Sequence, residues 1–97
     1  MAKPYRILYA PQAIADIYAL RAVFRVKIVQ AIETHLTHEP ERESRSCIKR
    51  MAQPFWSQFR LRVGDFRVYY VVDDSEHRVD VLRVIEKGTS STPEVSP

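Results

Sequence analysis

Hydrophobic positions change their spacing twice along the chain, and each change marks a new kind of element. Residues 5–9, Tyr-Arg-Ile-Leu-Tyr, are rich in β-branched and aromatic side chains and predict a first strand. Pro11 suits the first position of a helix, where its missing N–H has no helical partner. Behind it, Ile14, Ile17, Tyr18 and Leu20 mostly follow a helical stripe. Phe24, Ile28, Ala31, Ile32, His35 and Leu36 then recur at steps of three and four. The stripe shifts near Arg21 and Val23, which favours two helices over one kinked helix, and Pro40 ends the helical region. Residues 38–46 lack hydrophobic side chains and read as a solvated loop.

After Pro54 the period becomes two. Residues 55–62 alternate as a strand with two unlike faces. Val63-Gly64-Asp65, with Gly64 free to take a positive φ, makes a tight connection to a strong strand over 66–72. A polar turn at 73–76 leads to a last strand over 77–85. The short connections predict an antiparallel meander. The expected order is βααβββ, an α+β class in which two N-terminal helices pack on a small, largely antiparallel sheet. Residues 1–87 form the single domain of this reading, and 88–97 a flexible polar tail.

Composition sharpens this picture in two places. The 97 residues allow one domain, and the lone Cys47 excludes an internal disulfide, which suits a reducing compartment. With no apolar run near the roughly 20 residues of a membrane span, and no signal-peptide pattern at the N-terminus, a cytoplasmic protein without a membrane partner is expected. The net charge of +3 is unevenly spread. Residues 44–67 hold six basic residues (Arg45, Lys49, Arg50, Arg60, Arg62 and Arg67) against the single acid Asp65, a local +5 that leaves −2 for the rest. Such a patch steers polyanions to one place.

Alternation puts Trp56, Gln58, Arg60 and Arg62 on one side of the 55–62 strand, and Phe55, Ser57, Phe59 and Leu61 on the other. On the next strand Arg67, Tyr69 and Val71 oppose Phe66, Val68, Tyr70 and Val72. With the aliphatic-aromatic sides under the helices, the other side gathers guanidinium groups beside aromatics. That is either a solvated strand face or an RNA surface, with charge for phosphates and planes for stacking bases. The last strand is ambiguous, because a bulge would change which of its residues share a face. His35, His38, His77 and Cys47 lack metal-ligand spacing, so no zinc site is expected. Glu39, Glu41 and Glu43 read as solvated, and Asp16 as a surface or helix-dipole residue.

The run Phe59-Arg60-Leu61-Arg62-Val63-Gly64-Asp65-Phe66-Arg67-Val68-Tyr69-Tyr70 resembles the central signature of RelE/ParE superfamily toxins. Residues 5–13, Ala31-Ile32-Glu33 with Pro40, and Val81-Leu82-Arg83-Val84 add to the resemblance, which is closer to the RelE branch. It implies a toxin of a type II toxin–antitoxin pair that cuts mRNA in the ribosomal A site. The 2′-hydroxyl attacks the adjacent phosphate and leaves a cyclic phosphate, with no metal or cofactor. Arg67 would stabilise the phosphate, Arg60 matches a basic position of the preceding strand, and Lys87 falls near a C-terminal basic residue that contacts phosphate or protonates the leaving group. Lys49, Arg50, Arg62, Tyr69 and Arg83 are the further RNA-binding candidates. Gln58 stands where some members carry lysine, and no tyrosine follows Tyr70 where many members have one. The implied partners are a cognate antitoxin and ribosome-bound mRNA, with DNA bound only through the antitoxin complex. Two other outcomes remain open here: a ParE-like inhibitor of DNA gyrase without nuclease activity, and a catalytically degenerate toxin that only binds RNA or antitoxin.

Overall fold

The computed structural model describes residues 3–88. Strand β1 (Arg6–Tyr9) leads into helix α1 (Pro11–Tyr18) and helix α2 (Ala22–Leu36). Strands β2 (Ile48–Arg50), β3 (Phe59–Val63), β4 (Phe66–Asp73) and β5 (Arg78–Glu86) follow. They form one sheet in the order β1-β5-β4-β3-β2, parallel between β1 and β5 and antiparallel elsewhere. The two helices and the largely antiparallel sheet are as expected. The short edge strand β2 is an addition, because three residues are too few to show a period.

Pro11 opens α1, and Ala13 and Ile17 are its buried positions. The chain breaks at 19–21 before α2, whose Ile28, Ile32 and Leu36 lie four apart on one buried stripe. That stripe packs with Phe59, Leu61, Val63, Phe66, Val68 and Tyr70, the inner positions of β3 and β4. Tyr70 is fully buried, stacks on Phe59 with ring centroids 5.4 Å apart, and donates its hydroxyl hydrogen to the Pro40 carbonyl at 2.6 Å. The hydroxyl thus ties the exit from α2 to the central strand. Burial pushes the Tyr70 phenol well above its ordinary range.

Three details differ from the alternation read along the chain. The third strand begins at Phe59 rather than at residue 55. Ser57, buried, is hydrogen-bonded through its hydroxyl to the carbonyls of both Phe59 and Tyr70, at 2.8 and 3.0 Å, where the chain enters the ladder. Phe55 therefore escapes the core side and lies against Trp56 and Tyr69. In β5 the register slips opposite Tyr69/Tyr70, so that Tyr69 faces Arg83 and Tyr70 faces Val81. Leu82 is the extra residue, and the buried positions become Val79, Val81 and Val84. Finally, Asp16 is not a simple surface residue. Beyond Val81, β5 has no strand on its β1 side, and Asp16 of α1 takes that place. Its carboxylate accepts from the Val84 N–H at 2.9 Å and from Arg83 Nε and Nη2 at 2.8 and 3.1 Å.

The connection between β3 and β4 is Gly64-Asp65, with Gly64 at φ +58°. A left-handed first turn residue followed by an ordinary one is the pattern of a II′ hairpin, which matches strand twist. The expected tail beyond Gly88 lies outside the described residues.

Candidate functional site

Register, more than sequence distance, assembles the basic face. Lys49 of β2 pairs with Arg60 of β3, Arg60 with Tyr69 of β4, and Tyr69 with Arg83 of β5. One step along, Arg62 pairs with Arg67, and Arg67 with Ile85. These residues occupy the side of the sheet away from the helices. Like charges placed directly opposite each other destabilise a sheet. Here two such pairs, Lys49/Arg60 and Arg62/Arg67, stand side by side, and none of the four cations forms an ion pair among the described residues.

Arg67 is the centre of this strain. Its Nη1 is shielded from solvent and has no hydrogen-bond partner among the described residues. Burial, then the neighbouring Arg60 and Arg62, hold its guanidinium below the ordinary arginine range. It remains charged at neutral pH, because the ordinary arginine range lies far above neutrality. An incoming anion would relieve both the missing acceptor and the repulsion.

An aromatic cluster borders the cations. Trp56 lies 4.7 Å from Tyr69 and 5.1 Å from Phe55, measured between ring centroids. Alternation along the chain places Trp56 and Tyr69 here, but not Phe55. Rings beside guanidinium groups suit unpaired bases, which stack on planar side chains while the phosphates meet the charges.

The other candidates are placed differently. Arg50 pairs in register with Phe59, so it stands on the helix side of the sheet, with its guanidinium carbon 4.6 Å from the Phe59 ring centre. This opposes its grouping with the RNA-facing residues: the edge strand alternates, and only Lys49 shares the face of Arg60. Arg83 has the right parity but is held by Asp16, an ion pair that keeps its guanidinium above the ordinary range. It braces α1 against β5. Lys87 follows β5, and its N–H donates to the Asp65 carbonyl at 2.6 Å, which anchors it beside the β3–β4 turn, the end where Arg62 and Arg67 lie. The Gln58 side chain accepts from the Val72 N–H at 2.8 Å and so prolongs the ladder instead of replacing a phosphate-binding lysine. The role of Asp16 had no sequence signal, since a single acid on a helix does not reveal which strand edge lies beneath it.

Residues 3–89 match the family described as ParE toxin of the type II toxin–antitoxin system, parDE. The chain belongs to this family of type II toxins. Toxin RelE of Mycobacterium tuberculosis is 25% identical over 87 residues, covering 90% of this chain and 86% of that protein. The fold superposes on the RelBE2 toxin–antitoxin complex of Mycobacterium tuberculosis with a TM-score of 0.77 at 26% identity, covering 92% of this chain and 97% of the other. The archaeal RelE–RelB complex of Pyrococcus horikoshii gives 0.70 at 20% identity over 87% and 96%. At that identity it speaks for the fold alone. The RelE/ParE superfamily toxin expected from the strand signature is thus established. Among the described residues no helix is long and apolar enough to cross a membrane.

Proposed function

We propose that this toxin is a RelE-like, ribosome-dependent mRNA endoribonuclease of the cytoplasm, held in check by a cognate antitoxin. The observation that carries the reading is the Arg67 guanidinium, shielded at Nη1, without an acceptor among the described residues, and beside two arginines of the neighbouring strand. A phosphodiester in the A site supplies the acceptor. As the 2′-oxygen attacks phosphorus, negative charge grows on the non-bridging oxygens, and prepositioned donors are worth most at that stage. Arg67 and Arg60 meet that charge. The P–O5′ bond breaks to leave a 2′,3′-cyclic phosphate, and the Lys87 ammonium donates a proton to the departing 5′-oxygen while the 2′-hydroxyl proton passes to solvent. Lys49 and Arg62 hold flanking phosphates, and Tyr69 with Trp56 stacks bases. The names of the solved complexes, which pair RelE with RelB, support an antitoxin partner; by covering or distorting this face it would silence the toxin.

The test is controlled expression with and without the antitoxin, followed by primer extension on a translated message. Cuts that require translation, lost in Arg67→Ala, are expected. An intact message accompanied by DNA damage would point instead to a gyrase inhibitor, and a folded protein with neither effect to a binder without activity.

A further inference from the structure

A recess of about 310 Å³ opens beside the edge strand β2, next to the basic face. Arg45, Lys49, Arg60 and Arg62 line it, together with the hydroxyl residues Ser44 and Ser46. Arg45 belongs to the loop read as merely solvated, yet this loop is well fastened. Ser44 Oγ accepts from the N–H groups of Cys47 and Ile48 at 3.0 and 3.2 Å, and the Ser44 N–H donates to the Ile48 carbonyl at 2.9 Å. The Arg62 N–H donates to the Cys47 carbonyl at 2.8 Å, which joins the loop to β3. Arg45 is therefore carried at the tip of a closed turn. Glu43 also lines the recess, but its Oε1 accepts from the Arg50 N–H at 3.3 Å, and it forms no ion pair with the four cations.

Four cations without an ion pair around one recess attract an anion. Two of them, Arg60 and Arg62, stand on β3 beside Arg67, so the recess and the Arg67 position share a wall. The step from β4 across β3 to β2 is two strand spacings, about 10 Å, which a short run of extended nucleotides spans. We propose that the recess is a second phosphodiester subsite, occupied by the backbone of a single-stranded RNA whose neighbouring phosphate lies at Arg67. Arg45 supplies its outer charge, and Ser46 a neutral donor. The proposal rests on reading the basic face as an RNA surface, and it adds a direction: the strand crosses β4, β3 and β2 rather than running along them.

Uncleavable 2′-O-methyl RNA provides the test, as a dinucleotide with one phosphate and as a hexanucleotide. Binding of each is followed by fluorescence anisotropy across a salt series. On a single strand, each phosphate that a cation neutralises adds about 0.7 to the steepness of log K against log salt. Arg45→Gln should lower the hexanucleotide slope by about 0.7 and leave the dinucleotide unchanged, while Arg67→Ala should weaken both. Circular dichroism melting verifies the fold of each variant. An unchanged hexanucleotide slope in Arg45→Gln overturns the subsite, as does an equal reduction on both lengths. If Arg45→Gln weakens an acidic peptide but not the hexanucleotide, the recess belongs to a protein ligand and the proposal falls. If Arg45→Gln loses its slope increment while the wild type cuts no translated message, the subsite stands and the nuclease reading falls.

Discussion

Arg67 keeps its charge where its surroundings resist it. Burial and two arginines oppose the guanidinium, and no acceptor among the described residues meets its shielded Nη1. A side chain that stabilises the charge growing on the non-bridging phosphate oxygens is worth about 100- to 1000-fold in rate. Arg67→Ala should reduce translation-dependent cuts by that factor. Arg67→Lys should recover only part of it, because an ammonium lacks the planar fork; primer-extension band intensity measures both. A second residue-scale tension lies on the opposite side of the molecule. Burial, and then the shared hydrogen bond with Asp74, raise the Glu41 carboxyl above its ordinary range, against the opposing pull of Arg50. The Tyr5 hydroxyl donates to the same Asp74 at 2.7 Å, and its phenol is pushed up to about 12. A carboxyl raised in the folded state binds its proton more tightly there than in the unfolded chain. Its contribution is therefore full below the ordinary glutamate value of about 4.3 and is lost as pH rises through the folded pKa. Glu41→Gln should be more stable than the wild type near neutrality, with the advantage shrinking towards pH 4, as denaturant titrations at several pH values would read.

At the scale of elements, two polar ties decide how the helices meet the sheet. The Asp16 side chain is only 12% exposed and satisfies both the open N–H of β5 and the Arg83 guanidinium. Hydrogen bonds to charged groups contribute about 1.5–3 kcal/mol each, although Arg83, at 30% side-chain exposure, is partly screened. Asp16→Ala should cost about 1.5–3 kcal/mol in urea unfolding, and α1 should lose hydrogen-exchange protection before β4 does. The Tyr70–Pro40 bond is the second tie. Tyr70→Phe keeps the ring stack on Phe59 but leaves the Pro40 carbonyl without its donor, so about 1–2 kcal/mol of stability should be lost. The bulge at Leu82 belongs to this scale too. It keeps Val84 buried while Arg83 reaches the edge where Asp16 waits.

For the whole molecule, the sheet divides by charge. At one end Asp73 and Asp80 both pair with Arg78 across β4 and β5, which leaves a negative excess there. At the other, Lys49, Arg60, Arg62 and Arg67 form no ion pair among the described residues. The net +3 conceals this arrangement, in which the field converges on one end of one face. Because Arg67 takes part in no tie that holds the fold, Arg67→Ala should still co-purify with its antitoxin. Loss of that complex in a folded variant would show that antitoxin and RNA depend on the same guanidinium.

The helices, the hairpin turn at Gly64 and the faces of β3 and β4 were readable because their causes are local. Helical and strand periods, a proline at a helix start and a left-handed turn position are all visible within a few residues. Arg60, Arg62, Arg67 and Tyr69 could be grouped for that reason, since they lie on neighbouring strands joined by two residues. Three features depended on interactions between distant segments. Arg50 belongs to the other face because β2 is a separate strand whose register is set by β3. Arg83 is bound because α1 brings Asp16 across 67 positions. Phe55 joins the aromatic cluster because Ser57 finds its partners on β3 and β4 before the ladder begins. Local pattern specified which side chains could share a face; hydrogen bonding and charge pairing between remote segments determined which of those charges stayed unpaired.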